Sequence, residues 1–259
     1  MNIFNFLKKN ESQASSNEMK NEKCTNETST NETNIDKTEP EENHVEENSS
    51  EKKCRVFNLI ILDESGSMIS IHNAALKGLK QTLDTIRGAQ LEHAEQEHFV
   101  SLVSFSTLRY NEIYNLTPAS KILNIDSIDY RPNGGTPLFD AIGRSVMKLS
   151  ETVTEDDVVL VTIITDGEEN SSEIFSGKQI KQLIENLREQ GWVFTYIGAN
   201  QDVDEVAESL SIKNRMAFKA DEEGMKEMWD IENSRRGVLY SRVSACVDKR
   251  KLDEDFFEK

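Results

Sequence analysis

The chain has 259 residues, with 30 Lys and Arg against 47 Asp and Glu, a formal net charge of −17 and an isoelectric point near 4.7. That balance offers no electrostatic basis for a general phosphate-binding surface and argues against non-specific nucleic-acid binding. Only 36% of the residues are hydrophobic, and no apolar run approaches the ~20 residues of a membrane-spanning helix.

The opening MNIFNFLKK carries its lysines after the apolar residues. A secretory signal has the reverse order, so export is not expected, and the Asn-x-Thr triplets at Asn26 and Asn31 are read as composition rather than as glycan acceptors. Between Asn10 and Lys53 the apolar side chains are Ala14, Met19, Cys24, Ile35 and Val45, without a period. Such a stretch buries too little to offset its ordering entropy. Residues 1–53 are therefore expected to be a disordered acidic low-complexity tail, residues 54–247 one domain of ordinary size, and residues 248–259 an acidic C-terminal tail.

Within the domain, strand-like and helix-like patterns alternate, the order of parallel strands joined by crossover helices. Val56–Leu62 is nearly continuous apolar sequence, as in a strand covered on both faces. Leu76, Leu79, Leu83 and Ile86 follow at helical spacing. Phe99–Phe105 and the more polar Tyr110–Leu116 are close enough to form an antiparallel edge pair. His93 and His98 lie in HAEQEH, which lacks the His-Glu-x-x-His order of a zinc helix, and are expected at a solvated helix end. A helix from Leu138 to Leu149, a central strand at Val158–Ile164 and a helix over Ile180–Leu187 ended by Gly191 come next. Trp192–Ile197, a helix around Val203–Leu210, Met216–Lys219 and helical sequence at least to Trp229 complete a doubly wound, mostly parallel α/β sheet with one antiparallel edge strand and helices on both faces. Three cysteines, Cys24, Cys54 and Cys246, have no paired spacing and point to a reducing, cytoplasmic setting.

Ligands of such sheets bind beyond the carboxyl ends of the strands. There the first strand runs into Asp63-Glu64-Ser65-Gly66-Ser67, and the most apolar strand into Thr165-Asp166-Gly167, while Asn133-Gly134-Gly135-Thr136-Pro137 opens the helix between them. Taken singly, each has an ordinary explanation: a strand-end turn, a helix-entry hydroxyl, a capped helix start. Together they bring two carboxylates and three hydroxyls to one end of the sheet, an oxygen-only set suited to a hard divalent cation, with at least one coordination position left open.

Asp63-x-Ser65-x-Ser67, Thr136 after the double glycine, and Asp166 after the apolar strand resemble the metal-ion-dependent adhesion site of von Willebrand factor type A domains, over about residues 55–229. The resemblance implies a Rossmann-like sheet bearing Mg²⁺, with Mn²⁺ or Ca²⁺ as alternatives. It also implies that Asp63, Ser65, Ser67, Thr136 and Asp166 are direct or water-mediated ligands, and that a partner's Asp or Glu completes the coordination. Similar stand-alone cytosolic domains act as adaptors beside AAA+ ATPases or in stress responses. Glu64, Glu168 and Glu169 would then be solvated loop charges or an acidic rim beside the metal, next to Gly135 and Gly167. Asp140 would be a hydrogen-bond acceptor behind the ligands or a helix-start carboxylate.

No phosphate-binding loop or dinucleotide fingerprint is present, so nucleotide binding has no local support. Neither does a nucleophile elbow or a histidine triad setting. The sequence reads as a Mg²⁺-dependent protein-binding module rather than an enzyme. Two alternatives remain: a metal that only ties loops together while the tails dock, including LDEDFFEK with Phe256 and Phe257, and metal-assisted phosphoester hydrolysis.

Overall fold

The computed structural model describes residues 53–122, 128–199, 202–254 and 256–257; the expected N-terminal tail, but for Lys53, and Cys24 within it lie outside them. Six strands, β1 (Cys54–Asp63), β2 (Gln96–Ser106), β3 (Arg109–Pro118), β4 (Val158–Thr165), β5 (Val193–Gly198) and β6 (Asn214–Ala217), form one sheet in the order β3-β2-β1-β4-β5-β6. All neighbours are parallel except β2 and β3, which form the antiparallel edge pair. The helices are α1 (His72–Glu92), α2 (Leu138–Ser150), α3 (Gly177–Glu189), α4 (Val203–Ser209) and α5 (Glu222–Ser244).

Side chains alternate across each strand. On one face, Val56, Ile60 and Leu62 of β1 and Leu160 and Ile164 of β4 share a core with Ala75, Leu79, Leu83 and Ile86 of α1 and with Met225, Met228, Trp229 and Leu239 of α5. α2 and α3 supply Ile142, Val146, Ile180 and Ile184 as further buried side chains. Eight residues of β1 and all eight of β4 are buried, as central strands of a doubly covered sheet must be. The chain leaves β1 toward β2 on one side and returns to β4 on the other, so strand order reverses between them. Leu62 is paired with Ile164 there, which sets Asp63 and Asp166 side by side at the carboxyl edge.

Two features depart from the sequence reading, and one extends it. His98 is not at a solvated helix end: β2 starts at Gln96, and His98 is buried with its ring edge against Tyr240 at 4.5 Å. α5, helical through Trp229 as expected, runs fifteen residues further over a buried polar cluster. In it Arg236 pairs with Glu232 and donates to Asn58 Oδ1 (3.0 Å) and Thr162 Oγ1 (2.9 Å). The segment after Val247 is not a separate tail either, because Leu252 and Phe256 belong to the core and Asp253 pairs with Arg188 at 2.6 Å.

Candidate metal centre

Asp63 is the last residue of β1, and its backbone carbonyl accepts a 2.6 Å hydrogen bond from the Tyr130 hydroxyl. Its carboxylate is gripped from two sides: Oδ1 accepts from Ser65 N at 2.7 Å, and Oδ2 from Thr165 Oγ1 at 2.6 Å. The Ser65 and Ser67 hydroxyls lie 3.0 Å apart, and Ser67 Oγ donates to Asp166 Oδ1 at 2.5 Å. Both carboxylates therefore converge on the serines of the first loop.

Gly167 shows where the remaining donors lie. A Cβ placed on it would be 3.2 Å from Thr136 Oγ1, 3.6 Å from Ser67 Oγ and 4.0 Å from Asp63 Oδ2. The bare backbone of Gly167, on the third loop, thus faces a cradle of oxygens drawn from the other two, which a side chain would crowd.

Direct hydrogen bonds hold these loops in register. Gly66 N donates to Gly134 O at 2.9 Å, and Thr107, in the turn between β2 and β3, exchanges bonds with Gly135 through its backbone (3.1 Å) and hydroxyl (2.9 Å). Gly134 has φ of +83°, a conformation glycine adopts without penalty. Asn170 clasps Thr136, accepting from its N–H at 2.9 Å and donating to its carbonyl at 3.2 Å. Glu169 joins the third loop to α2: Oε2 accepts from Phe139 N, and Oε1 from Ser171 N and Ser172 N. The Asp140 carboxylate accepts from the amides of Glu173, Ile174 and Phe175. It shapes the loop behind the site.

The predicted flanking residues separate on inspection. Glu64 is fully buried, so it is neither a loop charge nor a rim. Its Oε2 accepts from Ser104 Oγ at 2.7 Å and its Oε1 from Arg131 N, with Arg109 at 3.5 Å. Glu168 is exposed at the edge, and Gly135 and Gly167 supply backbone beside the donors. Thr165, Tyr130 and Asn170 are site residues that sequence reasoning missed. Thr165, immediately before Asp166, was the one with a readable signal, a hydroxyl at the strand end.

The donors fit a hard divalent cation. Burial, with the Asp166 carboxylate alongside, pushes Asp63 up to about 6 against the hydrogen bonds from Thr165 and Ser65 that draw it down. Burial raises Asp166 as well. Two desolvated carboxylates facing one another are costly when ionised, and a cation among uncharged hydroxyl donors relieves both.

A doubly wound sheet carrying this oxygen set at its switch point defines a class of Rossmann-like binding domains. The chain belongs to the von Willebrand factor type A domain family, whose sequence profile matches residues 59–231. No curated protein matches it. Among solved structures it is similar to a mutant of the PilB minor pilin of Streptococcus sanguinis, with a TM-score of 0.55 and 11% identity, over 76% of this chain and 64% of that one. It is also similar to proximal thread matrix protein 1 of the mussel byssus (TM-score 0.51, 15% identity, 69% and 45% covered) and to the pilus adhesin SpaC of Lactobacillus rhamnosus GG (0.53, 15%, 70% and 30%). At these identities the likeness is one of fold, and the chain spans less than two thirds of each of these proteins.

Proposed function

We propose that the chain is a divalent-metal-dependent protein-binding module. Asp63, Ser65, Ser67, Thr136 and Asp166 would hold Mg²⁺, directly or through water, and a partner's Asp or Glu would complete the coordination. The observation that carries this reading is the convergence of Thr136 Oγ1, Ser67 Oγ and Asp63 Oδ2 on the bare face of Gly167. When bound, the ion supplies a Lewis-acidic position for an anionic oxygen. The protein's own residues orient the donors: Thr165 and the Ser65 amide fix Asp63, Ser67 fixes Asp166, and Asn170 fixes Thr136.

The reading in which metal merely ties the loops together is less favoured, because hydrogen bonds already join the first loop to the second and the second to the third. A protein partner is supported by exposed apolar side chains on segments bound to these loops: Ile69 at 64%, Leu108 at 65% and Ile174 at 54% exposure. Desolvated apolar contacts around a charged centre are how protein interfaces combine affinity with specificity. The cysteines at unpaired spacings fit a reducing, cytoplasmic setting. We read the site as binding rather than catalytic, and absence of Mg²⁺- or Mn²⁺-dependent phosphoester turnover is the expected result of a generic hydrolysis assay.

The direct test is thermal denaturation of the wild type and Asp166→Ala with Mg²⁺, Mn²⁺ and Ca²⁺. A ligand of the native state raises stability by mass action, so stabilisation of the wild type alone is expected, and equal responses of both proteins would overturn the site. Partner capture should likewise require both metal and Asp63, and capture undiminished in Asp63→Ala would overturn the mechanism.

A further inference from the structure

A cleft of about 380 Å³ opens beside the metal loops, between the β2–β3 turn, α2 and the loop after Asp166. Pro137, Ala141 and Arg144 line it at helical spacing, so one face of α2 leads from Thr136 to Arg144. Seven steps from the Pro137 cap at about 1.5 Å each, and one extended step of about 3.3 Å from Thr136, make that path about 14 Å long.

The charges along the cleft are unequally committed. Arg109 is shared between Glu64 at 3.5 Å and Asp129 at 3.3 Å. The Asp140 oxygens are taken by three backbone amides, and Glu173 stands exposed at the edge. Arg144 is exposed, and among the described residues no carboxylate lies within ion-pair distance of it. Its guanidinium rests 5.6 Å over the ring of Tyr110, whose hydroxyl is anchored 2.8 Å from Ser145 Oγ. Stacking of this kind orients the planar fork and leaves its donors open to a carboxylate. In a chain of net charge −17, an uncommitted, oriented arginine beside a cation site marks a local surface for acidic groups.

Resting on the metal-site reading above, we propose that this cleft is the second half of the partner site. It receives an extended acidic segment whose first carboxylate enters the metal centre and whose second, three or four residues on, pairs with Arg144. The spacing follows from about 14 Å at about 3.4 Å per extended residue. Leu108 and Ile174, exposed on opposite walls, select apolar residues between the two acids.

Two peptides test it, acetyl-Asp-Leu-Ala-Leu-Asp-amide and the same sequence ending in Asn, titrated by calorimetry into the full chain with saturating Mn²⁺. The wild type should prefer the diacid about fivefold or more, Arg144→Ala should bring the ratio close to one, and Arg144→Lys should keep part of it. Equal affinities in the wild type, a preference surviving in Arg144→Ala, or binding of neither peptide would each overturn the second contact. Stabilisation of the wild type by Mn²⁺ in the same samples separates that failure from failure of the metal site, which its loss would signal.

Discussion

Asp63 and Glu64 are consecutive, both carboxylates are buried, and they serve different ends. Asp63 turns toward Thr165 and the serines, whereas Glu64 reaches the other way, to Ser104 on β2 and the Arg131 amide. Nothing in DESGS distinguishes them, because the groups that claim Glu64 lie 40 and 67 residues away. Glu64→Leu removes the acceptor of both donors and leaves the Ser104 hydroxyl and the Arg131 amide unpaired, a loss of roughly 1–3 kcal/mol. The expected result is a lower urea midpoint with metal-induced stabilisation retained; the opposite pattern would restore Glu64 to the rim. Gly167→Ala is expected to do the reverse. Its methyl would press on Thr136 Oγ1 at 3.2 Å and sit before Ser67 and Asp63, so metal affinity, read by titration calorimetry, should fall by about 10-fold or more with the fold intact.

At the scale of elements, helix pairing makes two glycines of α1 opposites. A Cβ on Gly78 would lie 1.8 Å from Trp229 Cδ1, whereas one on Gly88 meets nothing within 4 Å. Gly78→Ala must displace a buried indole, an overpacking cost of about 1–3 kcal/mol, while Gly88→Ala should gain about 0.5–1 kcal/mol from helix propensity. Opposite shifts of the denaturation midpoint are expected, and equal shifts would disprove this packing of α1 on α5. The same pair of elements explains what the sequence concealed. The alternation of strands and helices and the three junction motifs were legible because each rests on local spacing. Glu232 and Arg236, by contrast, look like an ordinary exposed i, i+4 pair, and only their distant partners Asn58 and Thr162 show them to be buried. His98 was obscured likewise, since a histidine directly after Glu95, Gln96 and Glu97 gives no local sign of burial. Burial lowers it to about 4, aided by His93 and Arg236 and opposed by Glu95. The unfolded chain therefore binds the proton first: this contribution is intact above about pH 6.5 and is lost as pH falls toward 4, up to ~3 kcal/mol. Removing the ring's titration in His98→Phe should flatten that part of the stability–pH curve relative to the wild type.

At the scale of the whole molecule, composition misleads most at the C-terminus. KLDEDFFEK is as acidic as a solvated tail, and local pattern cannot tell Asp253 from its neighbours. The fold does so by offering Arg188, at the end of α3, as an ion-pair partner, and Asn214, on β6, as a bridge. The Asn214 amide donates to Asp253 O and Oδ1 at 3.0 Å, and its Oδ1 accepts from Phe256 N at 3.0 Å. With its backbone thus held, the segment lodges Leu252 and Phe256 in the core. Ending the chain at Val247 removes both side chains, each contributing about 1.5–3 kcal/mol by burial, and strands Arg188 without its carboxylate. The expected loss of roughly 3–6 kcal/mol is a large share of the ~5–15 kcal/mol by which domains are stable, and it should appear as a lower thermal midpoint both with and without Mg²⁺. A truncated protein that melts like the full chain but no longer captures its partner would instead return Phe256 and Phe257 to the role of a docking peptide. The proposed metal edge formed by the carboxyl ends of β1 and β4 would then have to yield its place as the principal contact.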